Sequence, residues 1–539
     1  MPRKFKGEIK LNIMVFLSFI LFTALVGLLS WLKTRNDDLS SQDGYFLAGR
    51  SLTGVFIAGS LMLTNLSTEQ MVGLNGQGYK FTMAVMAWEV TSAFALVLMA
   101  QIFLPRYLKS GITTIPNFLE ERYDKSTRIL VSILFLIGYI VAYLPTVLYS
   151  GALVLNGIFD VPNIFGISEI KALIVTVWAI GIVGSIYVIF GGLKAAVSAD
   201  TFNGVGLLIG GFMITVFALI KLGGGSFSGG INTLITNHPE KLNAIGDANS
   251  PVPWSTLFTG MFFNNLFYWC TNQSIVQRTL GAKSLKEGQK GVFLAGFFKL
   301  LGPLYLVLPG IIAFHLYGDS LSNPDMAYPM LVVDVLPKPL AGFFAAVLFG
   351  AILSSFNGAL NSSVTLFTLD IYRPIFNSNA TDKDLVKVGK IFGAILAMTS
   401  MVIAPFIMYA SSGLYNYLQE FNGFFNVPIL AAILVGFFTK KVPAIAPKIA
   451  LVFHIVFYSL SKIFFTHINF LHILGILFPT CVIIMLIVGK VKPRETEYVQ
   501  EYTEQVSIVP WNKSKIVSII ITILMFCIYL LFSKIGIAA

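Results

Sequence analysis

Apolar runs follow one another along almost the whole chain, separated by short clusters of charge and glycine. A transmembrane helix consumes about 20 consecutive apolar residues, and the runs between charge clusters predict fourteen spans. They fall near 11–32, 53–75, 82–104, 129–158, 172–190, 197–220, 254–273, 291–315, 340–369, 389–409, 414–438, 445–465, 469–488 and 516–535. The first is too long for a cleaved signal peptide, and no small-residue cleavage site precedes Lys33. The longest polar stretches, 223–253 and 491–515, read as loops with room for short helices, not as linkers between soluble domains.

Composition agrees with that pattern. The 539 residues are 56% hydrophobic and 12% charged, against about 25% charged in a soluble domain. A soluble enzyme, a nucleic-acid binder and a secreted disulfide scaffold are thereby excluded. Cys270, Cys481 and Cys527 sit in apolar runs without metal or redox spacing and read as small core residues. The net charge of +11 reflects loops, and its distribution predicts orientation. Every second loop is basic, beginning with Lys33, Arg35 and Arg50 and including Lys194 and Arg278. These loops hold 25 of the 37 Lys and Arg, the other side 11, four of them at the N-terminus. Both termini are therefore expected on the outer, periplasmic or extracellular side of a multi-pass cell-membrane protein. The one remaining cation, Lys299, belongs to a membrane span.

Polar groups inside spans are expensive and mark functional positions. The second span carries Asn65, Ser67, Thr68, Glu69 and Gln70 together, which predicts a helix unwound at mid-membrane with carbonyls free for a cation. Trp88, Glu89, Thr91 and Ser92 mark the third span, suiting either a polyhydroxylated ligand or a structural hydrogen bond. In the seventh, Asn265, Tyr268 and Asn272 share a helix face, an aromatic ring beside amides, as a sugar site requires. The buried Lys299 demands a partner, Glu69 or Glu89. Ser354 and Ser355 offer hydroxyls to a hard cation such as Na+, or glue helices together. Asp200 is an acidic group just inside the membrane that could neutralise a departing cation.

The segments DGYFLAGRSL, NLSTEQMVGLNGQGY, TTIPNFLEERY, IYVIFGGLKAAV, YWCTNQSIVQRTLGAKS, GAILSSFNGALNSS and FTLDIY resemble the sodium/solute symporters. The branch is that of the sodium/glucose cotransporters, and the nearest resemblance is to its bacterial sodium/galactose members. The resemblance implies an all-α fold with a LeuT-like core of two inverted five-helix repeats, the first helix of each discontinuous. Residues 1–51 would hold an extra N-terminal helix and a cytoplasmic loop, 52–222 and 253–438 the repeats, 223–252 an extracellular loop, and 439–539 three peripheral helices. It further implies a sugar site of Gln70, Glu89, Ser92, Asn265, Lys299 and Gln419, with Tyr268 stacking on the sugar as inner gate. Leu74, Trp88 and Tyr415 would form the outer gate. Carbonyls of Leu63, Leu66 and Ala351 with the hydroxyls of Ser354 and Ser355 would hold Na+, and Asp200 would serve a second sodium or its exit. The chain departs from the pattern at Tyr143, where an asparagine is usual and which would face the sugar, at Asn416 for a glutamine, and at Trp88 for a tyrosine.

The expected function is sodium-coupled sugar import by alternating access, with sugar, Na+ and the lipid bilayer as partners and no obligatory protein partner. Myo-inositol is the runner-up solute. Sialic acid is disfavoured because its carboxylate calls for an arginine and no span contains one. A channel or transporter-like sensor would need a continuous polar pore, whereas the amides cluster at one depth. No nucleophile–base pair supports an enzyme.

Overall fold

The computed structural model describes residues 13–34, 42–321, 323–409 and 414–538. The basic residues of the N-terminus and Arg35 lie outside the described residues, as do the side chains of Lys194 and Asn416. The described chain is built from helices. The spanning ones are α1 (Ile13–Thr34), α2 (Gly54–Asn65), α3 (Thr68–Lys80), α4 (Met83–Ser110), α5 (Lys125–Phe159) and α6 (Glu169–Leu222). They continue with α7 (Gly260–Cys270), α8 (Gln273–Leu280), α9 (Leu285–Leu300), α10 (Gly302–Tyr317), α11 (Lys338–Phe376) and α12 (Asp382–Met408). The last five are α13 (Leu414–Asn422), α14 (Asn426–Phe438), α15 (Ile445–Phe464), α16 (Phe470–Val491) and α17 (Ser514–Leu531).

Every span expected from hydropathy coincides with helix, but not always with one uninterrupted helix. Among the described residues nine helices are long and apolar enough to cross a membrane, and α9 with α10, bent by 53°, makes a tenth. The expected spans 53–75, 254–273 and 414–438 are instead carried by the pairs α2/α3, α7/α8 and α13/α14, each interrupted midway. The expected spans 172–190 and 197–220 lie within one helical run, α6. Within its 54 residues, Glu169–Ile186 and Val197–Leu222 are each long and apolar enough to cross a membrane.

Proline explains several irregular turns. Pro105, Pro145, Pro309 and Pro374 lack an N–H and cannot bond the carbonyls of Gln101, Val141, Tyr305 and Asp370 four residues back. Each of those carbonyls lies in a widened π-helical turn: Met99–Phe103, Gly138–Tyr143, Pro303–Val307 and Leu366–Phe376. The wider turn absorbs the missing bond without ending the span.

The centre of the molecule is α2–α4, α7, α9 and α11. In its most apolar stretch α4 is 89% buried, whereas α17 is 17% buried and shows Ile516, Ile519, Ile523 and Phe526 outward. In water such a surface would be an aggregation hazard; facing lipid it needs no cover. Cys527 belongs to that exposed surface, which corrects its reading as a core residue; Cys270 and Cys481 are buried.

Candidate functional site

The first helix break forms where the sequence places its polar cluster. Leu66 leaves helical geometry at φ −81°, ψ 83°, and Ser67 is extended. In an unbroken helix the N–H groups of Ser67 and Gln70 would bond the carbonyls of Leu63 and Leu66. They turn instead to the carbonyls of Asn65 and Ser67, at 3.1 Å each. Two backbone oxygens are thereby released in the middle of the protein. From α11, Ser355 places its hydroxyl 3.3 Å from the Thr64 carbonyl and 3.5 Å from that of Leu63. Ala351, one turn earlier, is fully buried. Ser354 turns toward a small cavity of about 30 Å³ that Asp200 also lines, with Asn203 and Asn357 around it. That volume accommodates one water-sized particle. The Asp200 carboxylate accepts from Ser60 at 2.7 Å.

On the other side of the break lies a buried ion pair. Lys299 on α9 donates to Glu89 Oε2 on α4 at 2.6 Å, and neither side chain is exposed. Gln70 Nε2 donates to the second oxygen, Glu89 Oε1, also at 2.6 Å. Lys299 additionally donates to Asn65 Oδ1 and stands 5.3 Å from the Trp269 ring. Glu89, not Glu69, is thus the lysine's carboxylate partner; Glu69 Oε2 is buried without a hydrogen bond. Gly302 is obligatory here, because a Cβ at that position would lie 2.8 Å from Cβ of Glu89.

Amides and rings complete the cluster. Asn265 Nδ2 donates to Thr91 Oγ1 at 2.6 Å, and Asn264 Nδ2 to Gln419 Oε1 at 3.3 Å. Trp88 and Tyr415 meet edge to face at 5.4 Å, and Leu74 is fully buried. Tyr415 fits only because residue 73 is glycine, whose added Cβ would come 2.8 Å from Cβ of Tyr415. Tyr143 donates to the Thr64 carbonyl at 3.3 Å, so it faces the helix break as well as the space beside Tyr268. At the second break, Asn272 Oδ1 accepts from Tyr139 and from the Ser274 N–H; it therefore caps α8 and does not share the sugar-facing role expected of Asn265 and Tyr268.

Some expectations change. The Ser92 hydroxyl donates to the Trp88 carbonyl of its own helix at 2.7 Å, so only its lone pairs remain for a ligand. Arg278, read from sequence as a cytoplasmic loop cation, is fully buried. Its Nε donates to Thr64 Oγ1 at 2.9 Å, and Asp200 is its opposing charge. The argument that no arginine reaches the membrane interior therefore fails. Arg278 nevertheless faces the Thr64 side of the break, where Asp200 is an opposing charge. Asn264, Arg278 and Asn426 are the interacting residues that sequence reading left without a site role, while Asn65 and Thr91 entered it only as members of polar clusters. The available signals were an amide at the head of the apolar run NVPILAAILVGFF and an arginine one turn past the seventh span.

Comparisons with known proteins show the family and the fold. A family model described as the sodium:solute symporter family matches residues 45–446. The chain is 52% identical to the uncharacterized symporter YidK of Escherichia coli over 96% of its own length and 91% of that protein. It is 34% identical to the sodium/glucose cotransporter of Vibrio parahaemolyticus over 80% of its length and 81% of that protein. The solved structure of a Na+-coupled sialic acid symporter superposes with a TM-score of 0.75, at 21% identity, covering 90% of this chain and 99% of that one.

Proposed function

The chain belongs to the sodium:solute symporter family, and from that premise we propose that it imports a neutral sugar of the galactose or glucose kind, driven by inward Na+ flow. Its membrane-spanning, LeuT-like fold is that of a transporter and not of an enzyme. In this reading Na+ is a cargo held by the Leu63 and Leu66 carbonyls freed at the break, the Ala351 carbonyl, and Ser354 and Ser355. Hard cations take oxygen ligands of this kind. Asp200, sharing the cavity with Ser354, serves a second sodium or the exit path. The two repeats are 52–222 and 253–438, and both chain termini lie outside.

The observation that carries the sugar reading is the buried Glu89–Lys299 pair with Gln70 on its free edge. A solvent-free ion pair is costly, and one whose remaining hydrogen-bond capacity points at amides is suited to hydroxyl groups, which both donate and accept. Gln70, Glu89, Ser92, Asn265, Lys299 and Gln419 supply polar contacts, and the Tyr268 ring supplies the apolar face. Coupling follows from the break itself. Gln70 stands four residues after Leu66, so a cation that fixes the Leu63–Ser67 turn against α11 also fixes where Gln70 presents its amide. Leu74, Trp88 and Tyr415 close the outer side.

The energetics suffice. A charge falling through 100 mV releases about 2.3 kcal/mol, and a tenfold Na+ gradient adds about 1.4 kcal/mol. Together they sustain roughly 500-fold accumulation per Na+. The decisive experiment is uptake into proteoliposomes with and without a Na+ gradient. Galactose, glucose, fucose, myo-inositol and sialic acid are each offered as substrate and as competitor. Na+-dependent uptake of a hexose, suppressed by galactose, is expected. Preference for myo-inositol would move the reading to another polyol, and exclusive uptake of sialic acid would sink it.

A further inference from the structure

The oxygen and nitrogen of an amide side chain are told apart only by their partners. An amide chain tied at one end to a backbone group therefore has its polarity dictated from that end. One such chain runs through Asn426, Asn264 and Gln419. Asn426 opens α14, where the first N–H groups have no partner within the helix, and its Oδ1 accepts from the Val427 N–H at 2.6 Å. With its oxygen so engaged, Asn426 must offer Nδ2 to Asn264, whose Oδ1 accepts it at 2.5 Å. Asn264 is then left with its own NH2, which donates to Gln419 Oε1. What remains of Gln419 is Nε2, a donor. Asn264 and Asn426 are both buried, so water does not substitute for either link.

Two shorter chains deliver the opposite polarity. The Ala87 carbonyl takes the Thr91 hydroxyl proton at 2.6 Å, so Thr91 Oγ1 accepts from Asn265 Nδ2, and Asn265 Oδ1 remains as an acceptor. Glu89 accepts from Gln70 Nε2, and Gln70 Oε1 remains, buried and without a partner.

We propose that Asn426 and Asn264 are positioning residues that set the hydrogen-bond polarity of the solute site. Anchored on the Val427 N–H, they hold Gln419 as a donor opposite the acceptors Asn265 and Gln70. The inference rests on the sugar reading for which residues face the solute, and it deepens that reading. One donor and two acceptors match a neutral polyol, whose hydroxyls play both parts. A carboxylate only accepts, and it would meet two amide oxygens.

Asn264→Asp keeps the side chain's shape and reverses the relay. Both its oxygens accept; Asn426 still donates to one, and Gln419 must turn Nε2 to the other, presenting Oε1 to the solute. The probes are deoxygalactoses and deoxyfluorogalactoses competing with galactose uptake by the full-length protein in proteoliposomes. Fluorine accepts weakly and never donates. In the wild type one ring position should tolerate fluorine better than hydrogen by about fivefold in inhibitory concentration. In Asn264→Asp that preference should vanish and the galactose KM rise about tenfold, more than any fall in maximal rate. Asn264→Leu, which leaves Gln419 free to turn, should be milder than the isosteric Asp. Independently of any solute, Asn264→Ala and Asn426→Ala should be non-additive in melting temperature. Additive melting overturns the relay, and a fluorine preference that survives in Asn264→Asp overturns its consequence for the solute. Absence of galactose competition in the wild type sinks the sugar reading instead, and the solute-free melting cycle still decides the relay.

Discussion

Lys299 and Glu89 are both shielded completely from solvent, and an ammonium near the bilayer centre costs about 2.5–3.5 kcal/mol even on permissive scales. Their mutual contact, with Gln70 and Asn65 filling the remaining positions, offsets that cost. Lys299→Ala removes one charge and strands the other, a change of about 3–5 kcal/mol in buried pairs. It should lower the melting temperature and abolish sugar uptake. Adding Glu89→Gln should recover thermal stability without restoring transport. Simple additivity in detergent-solubilised melting would show that the two do not act as a pair. At Tyr268 the ring face is the proposed contact, so Tyr268→Phe should keep more uptake than Tyr268→Ala; equal losses would assign the role to the hydroxyl. Ser355→Ala takes away a hydroxyl that lies 3.5 Å from the freed Leu63 carbonyl. It should abolish Na+-dependent uptake, and an unchanged Na+ dependence would remove Ser355 from the sodium site.

The decisive element is the α2–α3 break together with α11 behind it. The crossing of α5 and α11 is tight at Gly151, where an added Cβ would stand 2.8–2.9 Å from three atoms of Ile352. Ile352 adjoins Ala351, so pressure there moves a carbonyl assigned to sodium. Gly151→Ala should destabilise the protein by about 1–3 kcal/mol, as overpacking does, and raise the Na+ concentration needed for half-maximal uptake. Ile352→Ala in the same chain should relieve both effects. If Na+ dependence stays fixed while stability falls, the crossing does not reach the sodium site. The proline-linked π turns belong to the same scale. They keep α4, α5, α10 and α11 continuous although four main-chain bonds are missing, and they depend on residues whose effect is local.

For the whole molecule, the asymmetric distribution of Lys and Arg predicts which face is cytoplasmic. The segment 492–513 connects α16 to α17 and bonds along one face: Arg494 to the Arg122 carbonyl, Gln500 to the Arg106 carbonyl, Thr503 to the Lys109 carbonyl. The helix Phe227–Thr236 stands in the loop predicted outside. In a chain whose three native cysteines are replaced by alanine, Glu501→Cys should react with an impermeant maleimide only from the inside. Asn232→Cys should react only from the outside. The reverse pattern would invert the topology.

Hydropathy and charge are properties of short stretches, and what depends on them was legible before any coordinates. The membrane class, the positions of the spans, the unwound turn at residues 65–68 and the need of Lys299 for a carboxylate all follow from counting apolar and polar residues. Each is a cost that the local sequence incurs wherever the helix ends up. Which carboxylate answers Lys299, 210 positions away in the chain, is settled by how α4 packs on α9. The same holds for Arg278, whose charge looked like that of a loop until α8 proved to be buried beside Asp200. It holds for Ser92, Asn264 and Asn426, whose hydrogen-bonding directions are set by the neighbours packed around them. An amide can donate or accept, a buried ion can pair with several partners, and a serine can bond its own helix. The sequence lists these capacities, and packing against a particular neighbour selects one of them, because each buried polar group left unmatched costs more than the rearrangement that satisfies it.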